Sequence, residues 1–142
     1  MSDWSALVEA AKAARSRAYA PYSDFLVGCA IESRDGQVAL GANLENACYR
    51  LGVCAEQSAL AAAQQAFGLE NVARLAIVGG PREGADKGEP VTPCGGCRQA
   101  IMEAANRAGT DLAIVCCDAS GTERLETSIA ALLPAAFDLD PR

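Results

Sequence analysis

The chain has 142 residues, of which 51% are hydrophobic, 21% charged and only 5% aromatic. This usage is ordinary for a globular protein and excludes collagen-like and intrinsically disordered classes. A chain of this length can bury roughly two thirds of its unfolded surface. We therefore expect a single domain over residues 1–142, with an aliphatic core.

Charge and residue usage exclude further classes. The net charge is -6 and no stripe of Lys and Arg occurs, so nucleic acid is not the expected partner. No apolar run approaches the ~20 residues that cross a bilayer, and no signal peptide is evident, so we expect a cytoplasmic protein without a membrane partner. Seven cysteines without regular spacing favour metal binding, burial or catalysis over disulfides.

The predicted elements begin with an amphipathic helix from Ser5 to about Arg17, where apolar residues recur at helical spacing. Two apolar runs follow, Leu26–Ser33 and Gln37–Asn43, and the Asp-Gly pair between them favours an antiparallel hairpin. A loop over 44–53 leads into a second, Ala-rich helix.

That second helix is predicted over Cys54–Phe67, with Gly68 as its left-handed cap. Arg74–Gly79 is typical of a buried strand, and the Gly- and Pro-containing segment over 80–91 is predicted to be a surface loop. A third helix is expected to start with Thr92 as its N-cap and Pro93 as its first residue.

The third helix is predicted to run to Ala108, with Cys94 and Cys97 in its first turn. The strands Asp111–Cys117 and Thr122–Thr127 and a short helix over Ile129–Leu133 complete the chain. This order predicts an α/β fold of three layers, α/β/α, around a five-stranded mixed sheet.

Cys94 and Cys97 occur in the segment Pro-Cys-Gly-Gly-Cys, where two thiolates on one helical turn can bind one metal ion. The pair alone also fits a redox dithiol or half of a four-cysteine structural zinc site. Cys54 supplies a third potential ligand upstream. Three protein ligands leave one position of tetrahedral zinc open, which is typical of catalytic zinc and lowers the pKa of a bound water from ~16 toward ~7.

Glu56 follows Cys54 by two residues. A glutamate in the first turn of a helix is often only a solvated residue that the helix dipole favours. Beside an activated water it becomes the obvious proton shuttle, because the chain has no histidine to act as general base.

The segments Cys-Ala-Glu at 54–56 and Pro-Cys-Gly-Gly-Cys-Arg-Gln at 93–99 resemble those of the small cytidine deaminases with three zinc-binding cysteines. Residues 18–28 are similar to the opening motif of that family and residues 43–49 to its nucleoside-binding loop. Residues 132–137 match its C-terminal pattern, so the resemblance runs from about Tyr19 to Phe137.

The resemblance implies one Zn²⁺ per subunit, held by Cys54, Cys94 and Cys97, with Glu56 as the catalytic acid and base. It implies hydrolytic deamination of free cytidine and deoxycytidine, with release of ammonia, in pyrimidine salvage. Glu56 would protonate N3 of the base and then relay a proton to the leaving amine. The family also implies a homotetramer, in which the residues that enter a neighbouring site are Tyr49 and Phe137.

The substrate contacts are likewise implied by the resemblance. Asn43 and Glu45 would bind the ribose hydroxyls, a role that suits an amide and a carboxylate. Phe25 would pack against the pyrimidine. The backbone N–H of Ala55 would bind the base carbonyl, and the backbone carbonyl of Thr92 would meet the departing amino group.

Two positions depart from the family pattern. Gln57 stands where arginine is common, so the negative charge of three thiolates is less compensated and the Lewis acidity of the zinc is expected to fall. We hypothesise that Gln57 still donates an amide hydrogen bond to one cysteine sulfur, although neutral drift at this position is an equal alternative. Leu26 stands where proline or a polar residue is frequent, and is expected to alter the pocket wall beside Phe25.

These departures keep a second reaction open, the deamination of a modified pyrimidine nucleoside or related aminoheterocycle. A non-catalytic, zinc-stabilised nucleoside-binding module is disfavoured by Glu56, which metal binding does not require. A polynucleotide editor is disfavoured by the acidity of the chain.

The remaining cysteines are predicted to pack, Cys48 in the nucleoside-binding loop and the other three in strands: Cys29, Cys116 and Cys117.

Overall fold

The computed structural model describes residues 3–83 and 88–140. The predicted order of helices and strands is confirmed, and two short 3-10 turns are added at Tyr49–Leu51 and Leu69–Asn71. The four helices are α1 (Ser5–Arg15), α2 (Ala55–Ala66), α3 (Gly95–Ala108) and α4 (Ile129–Leu132), and the five strands are β1 (Phe25–Ser33), β2 (Val38–Ala42), β3 (Val72–Pro81), β4 (Ala113–Cys117) and β5 (Arg124–Ser128).

The strands form one mixed sheet in the order β2-β1-β3-β4-β5. β1 pairs antiparallel with both β2 and β3, β3 pairs parallel with β4, and β4 pairs antiparallel with β5. α3 lies in the connection between the two parallel strands, as a parallel crossover requires. The sheet is therefore mixed and five-stranded, as predicted.

The two faces of the sheet carry separate apolar clusters. Residues of α1 pack with Ala30, Ala76 and Val115 on one face. Residues of α2 and α3 pack with Ile31 and Ile77 on the other. Because side chains alternate along a strand, the three central strands β1, β3 and β4 contribute to both clusters, and the result is the predicted α/β/α layering. No helix among residues 3–83 and 88–140 is long and apolar enough to cross a membrane.

α2 lies unusually close to β2 at Gly41. A Cβ added to Gly41 would lie 2.3 Å from the backbone nitrogen of Ala59 and 2.6 Å from the carbonyl oxygen of Ala55. Real Cβ contacts are essentially never that short. The absent side chain of Gly41 thus sets the distance between the sheet and the N-terminal half of α2.

We expect Gly41→Ala to lower the free energy of unfolding by about 2–3 kcal/mol, because α2 must move away from β2 to admit the methyl group. Urea unfolding measures this change. Gly88→Ala is the control, since a Cβ there meets its nearest neighbour at 3.8 Å, an ordinary contact. Equal stability of the two variants would show that α2 is free to shift.

The start of the third helix was predicted wrongly. α3 begins at Gly95, and its N-cap is Cys94, whose backbone is extended (φ -68, ψ 171), so neither Thr92 nor Pro93 belongs to the helix. The fixed φ of proline suits an extended segment as well as the first helical position, which makes Pro93 ambiguous. The helix ends at Ala108, as predicted, and Gly109 after it is left-handed with φ 73. The left-handed cap predicted at Gly68 is not formed, because α2 ends at Ala66 with Phe67 as its C-cap, and Gly68 has φ 84 but an extended ψ of 141.

Candidate functional site

The cluster that the sequence predicts at Cys54, Cys94 and Cys97 is present. Their three sulfur atoms lie within 4.8 Å of one another. Cys54 is the N-cap of α2 and Cys94 is the N-cap of α3, both with extended backbone, while Cys97 is the third residue of α3. The starts of two helices therefore converge on one set of thiols.

The electrostatic surroundings of the three thiols differ. The backbone N–H groups of Cys97 and Gly96 hold the pKa of Cys94 below its ordinary value. Burial raises the pKa of Cys54 and of Cys97. Because a metal ion binds thiolates, loading of this site must displace protons from the two thiols with raised pKa values.

The donor set fits zinc. A Zn–S distance near 2.3 Å in a tetrahedral site places sulfur atoms about 3.8 Å apart, which is compatible with the observed cluster. Cys54 and Cys94 are exposed, whereas Cys97 is buried, so one side of the cluster faces the surface. Three thiols with an accessible side match the catalytic type of zinc site rather than the closed, structural type.

Glu56 lies in the first turn of α2 and is only 6% exposed. Burial raises the pKa of its carboxyl group above the ordinary value, while hydrogen bonds from its own backbone N–H and from Cys97 act in the opposite direction. Burial raises the pKa values of the thiols of Cys29 and Cys116, and the charge of Glu56 raises both further, after that of Cys117 in the case of Cys116. The carboxyl group thus points inward, beside the metal-binding thiols.

Gln57 contacts the cluster directly. Its side-chain nitrogen, Nε2, lies 3.6 Å from Sγ of Cys97, a distance at which an amide donates a hydrogen bond to sulfur. A neutral donor therefore occupies this position, as hypothesised from the sequence. The contact points to a role at the metal rather than at the substrate.

We expect Gln57→Ala to raise the zinc dissociation constant about tenfold, because partners of metal ligands typically contribute 10–100-fold to affinity. Competition with a chromophoric chelator measures this constant. Gln65→Ala, at an exposed position of the same helix, is the control. An unchanged affinity in Gln57→Ala would leave neutral drift as the explanation for this residue.

Asn43 and Glu45 follow the end of β2 and both have polar partners near the start of β1. Asn43 Nδ2 donates to the carbonyl of Phe25 at 2.9 Å, and its Oδ1 accepts from the N–H of Val27 at 2.9 Å. The Glu45 carboxylate accepts hydrogen bonds from Tyr22 and Ser23. Both side chains are held in place by the segment around Phe25.

Phe25 begins β1 and is 38% exposed. It lines a cavity of about 320 Å³ together with Gly88, Pro90 and Val91, the residues that lead toward Thr92. The three metal-binding cysteines do not line this cavity.

Two backbone groups predicted to contact the base are available by position. Ala55 is the first residue of α2, and its N–H has no acceptor within the helix. Thr92 precedes the N-cap Cys94 by two residues, so its carbonyl does not take part in the hydrogen bonds of α3. Both lie within two residues of a metal-binding cysteine in the chain.

Leu26 was expected beside the pocket, and this expectation is wrong. Its side chain is only 4% exposed. It points to the side of β1 opposite to Phe25 and Val27, since neighbouring side chains alternate across the sheet. Leu26 therefore lies on the α1 side, where Arg15 Nε donates to its carbonyl at 3.1 Å.

The cysteines outside the cluster divide into two groups. Cys29, Cys116 and Cys117 are fully buried in strands, as predicted. Cys48 was predicted to pack but is exposed, because it precedes the 3-10 turn of a surface loop and its N–H donates to Asn46 Oδ1 at 2.8 Å.

Sequence reasoning missed two positioning residues. Asp118 is fully buried, and its carboxylate accepts from the N–H of Gly88 at 3.2 Å and of Thr122 at 3.0 Å. Arg98 donates to the carbonyls of Pro93 at 2.7 Å and of Leu132 at 2.9 Å. Both fix the segment that carries Thr92 and Cys94. For Asp118 the available signal was its place between a buried strand and a turn.

Comparisons with known proteins agree with this geometry. Residues 1–109 match the model of the family described as "Cytidine and deoxycytidylate deaminase zinc-binding region". The chain is 39% identical over 131 residues to a cytidine deaminase of Sporosarcina psychrophila (92% of this chain, 88% of that protein). It is 40% identical over 131 residues to one of Halalkalibacterium halodurans (92% of this chain, 91% of that protein).

A solved structure agrees as well. The crystal structure of cytidine deaminase from Burkholderia pseudomallei superposes with a TM-score of 0.83 at 42% identity, covering 96% of this chain and 100% of that one. The family model matches most of the chain, the relatives match over most of their own length, and the solved structure shares the architecture. These three findings identify the same family. The chain belongs to the zinc-binding cytidine and deoxycytidylate deaminase family.

Proposed function

We propose that this protein hydrolyses free cytidine and deoxycytidine to uridine and deoxyuridine, with release of ammonia, in cytoplasmic pyrimidine salvage. The observation that carries the proposal is a buried glutamate next to three thiols whose cluster is open on one side. Metal binding alone does not require that glutamate. Zinc held by Cys54, Cys94 and Cys97 would supply Lewis acidity and an activated water.

Glu56 is the group that moves protons in the proposed reaction. Its carboxylate accepts a proton from the water that adds at C4 and delivers it to N3 of the base. It then passes the second proton of that water to the amino group, which leaves as ammonia. Burial, which raises the pKa of Glu56, favours the protonated form that this delivery requires.

Binding of the substrate would be divided among the remaining residues. Asn43 and Glu45 take the sugar hydroxyls with the hydrogen-bonding capacity that their backbone partners leave unused. Phe25 packs on the pyrimidine. The N–H of Ala55 donates to the base carbonyl, and the carbonyl of Thr92 accepts from the amino group.

A free nucleoside suits this site better than deoxycytidylate, the other substrate in the description of the family. A cavity of about 370 Å³ beside Glu45 is lined by two tyrosines and small polar residues, without Lys or Arg: Tyr22, Ser23, Glu45, Asn46, Tyr49 and Gly52. A phosphate group there would meet a carboxylate and no cation, which is unfavourable.

We also propose a homotetramer in which Tyr49 and Phe137 reach a neighbouring site. Tyr49 is 85% exposed and Phe137 is 67% exposed, unusually high for aromatic side chains. Leu44, Leu51 and Val53 add exposed apolar surface to the loop that carries Tyr49. Sedimentation equilibrium tests this proposal, and a monomer at micromolar concentration would contradict it.

Ammonia release from the zinc-loaded protein tests the reaction itself. The substrates are cytidine, deoxycytidine, cytosine, deoxycytidine monophosphate and, with the released amine detected in place of ammonia, an N4-substituted cytidine. We expect the two free nucleosides to be turned over with the highest kcat/KM. A preference for deoxycytidine monophosphate would overturn the choice of a free nucleoside, and activity on none of these pyrimidines would overturn the proposal.

The alternative of a modified pyrimidine substrate has less support from the structure than from the sequence. It was based on Gln57 and Leu26, but Gln57 contacts a cysteine sulfur and Leu26 points to the α1 side of the sheet. Neither departure from the family pattern therefore changes the part of the site that would contact the base.

A further inference from the structure

The hydroxyl group of Ser23 lies between the Glu45 carboxylate and the backbone of Phe25. Its O–H donates to Oε2 of Glu45, and its oxygen accepts from the N–H of Phe25 at 3.0 Å. One hydroxyl group thus connects a carboxylate proposed to bind sugar with an aromatic residue proposed to pack on the base. The resemblance assigns no role to Ser23.

The acceptor capacity of Glu45 is almost fully used. An ionised carboxylate offers about four lone-pair sites. Oε1 accepts from the N–H of Tyr22 at 2.9 Å and of Ser23 at 3.2 Å, and Oε2 accepts from the Ser23 hydroxyl. The site that remains is on Oε2. A substrate hydroxyl that donates to Glu45 therefore shares this oxygen with Ser23.

The backbone carbonyl of Phe25 is also bound by a residue proposed to contact the sugar. Asn43 Nδ2 donates to it at 2.9 Å. Asn43 directly follows the last residue of β2, so its side chain replaces the backbone pairing that a longer β2 would provide. The two backbone polar groups of Phe25 are thus bound to Ser23 and Asn43. The Ser23 hydroxyl is therefore the link between the Glu45 carboxylate and the backbone N–H of Phe25.

Asp24, the residue between Ser23 and Phe25, makes the shape of this turn depend on its hydrogen bonds. Asp24 has φ 57, a left-handed conformation that is uncommon for residues other than glycine. It is stabilised by Arg82, whose Nε donates to Asp24 Oδ1 at 2.6 Å and whose N–H donates to the carbonyl of Asp24 at 3.0 Å. The turn from Tyr22 to Asp24 keeps its shape through these bonds and those of Ser23.

We propose that Ser23 is a positioning residue that couples recognition of a sugar hydroxyl at Glu45 to the placement of Phe25 against the base. This inference rests on the proposed function. It has a specific consequence for substrates. A nucleoside that carries the hydroxyl bound by Glu45 depends on Ser23, whereas one that lacks this hydroxyl gains little from it.

The test compares Ser23→Ala, Ser23→Thr and the wild type with cytidine, 2′-deoxycytidine, 3′-deoxycytidine and 2′,3′-dideoxycytidine. For cytidine we expect Ser23→Ala to lower kcat/KM about tenfold, mainly by raising KM. For dideoxycytidine the loss is expected to stay below about threefold. Ser23→Thr, which keeps a hydroxyl group, is expected to recover most of the activity on cytidine. Ser16→Ala, an exposed serine on the C-terminal side of α1, is the control.

A double-mutant cycle tests the link to the base. Ser23→Ala and Phe25→Leu should be non-additive in kcat/KM for cytidine, because residues that share one hydrogen-bonded unit are coupled. Additive effects, or equal losses on all four nucleosides, would overturn the proposal. If Ser23→Ala does not fold, Ser23→Cys, which is nearly isosteric and a weak donor, replaces it. Wild-type protein inactive on every nucleoside would instead overturn the proposed function.

Discussion

Glu56→Gln is expected to lower kcat for cytidine by about 10³-fold while the protein keeps its zinc. General acid-base groups contribute about 10²–10⁴-fold, and here one carboxyl group serves both proton transfers. Glutamine keeps the size and much of the hydrogen bonding of Glu56 but cannot accept and return a proton. Ammonia release under single-turnover conditions measures the chemical step, and atomic absorption measures the zinc content.

This variant also separates catalysis from folding. Glu56 is only 6% exposed and burial raises its pKa, so a neutral amide there costs less desolvation than the ionised carboxylate. The midpoint of thermal unfolding should not fall. Glu103→Gln, at an exposed position of α3, is the matched control and should keep full activity. Retention of more than a tenth of wild-type kcat in Glu56→Gln would assign the proton transfers to another group.

Cys97→Ala is expected to abolish both zinc binding and turnover. Cys97 is the buried member of the cluster, and its loss leaves two exposed thiols at the starts of two different helices. Two ligands do not hold zinc against a chelator at the affinity of a three-thiolate site. Zinc released by a mercurial reagent and detected with a metallochromic dye should fall from one equivalent per chain to below about 0.1.

The matched control for this variant is Cys117→Ala. Cys117 is equally buried, but it belongs to the apolar cluster on the α1 face of the sheet. Each of the two variants therefore removes one buried sulfur atom, and the two atoms lie on opposite sides of the sheet. Cys117→Ala should keep one equivalent of zinc and lose only stability. Zinc loss in both variants would trace the effect to general unfolding rather than to ligation.

Much of the fold could be predicted because its signals are local. The Asp-Gly pair lies in the predicted hairpin between β1 and β2, where Gly36 has φ 90, and α3 ends at Ala108, as predicted. The start of α3 could not be predicted in the same way, since Pro93 suits two conformations. What selects between them is the extended backbone of Cys94, a feature of the assembled site rather than of the local sequence.

The residues of the candidate site also differ in whether the local sequence reveals them. The three cysteines and Glu56 stand out in the sequence because their residue types and spacing match a known chemistry. The contacts of Ser23 and Asp118 do not, because their partners lie on other elements and are chosen by the folded chain. Leu26 was wrongly expected beside the pocket because it follows Phe25 in the chain. Neighbouring side chains of a strand point to opposite faces, so Leu26 lies on the other side of β1.

The convergence of the starts of α2 and α3 also makes zinc a reversible cross-link. A metal bound to Cys54 and Cys94 closes a loop of the chain from residue 54 to residue 94. For a permanent link over ~40 residues, loss of chain entropy in the unfolded state corresponds to about 4 kcal/mol. Bound zinc should therefore stabilise the folded chain against unfolding as well as supply the chemistry of the site.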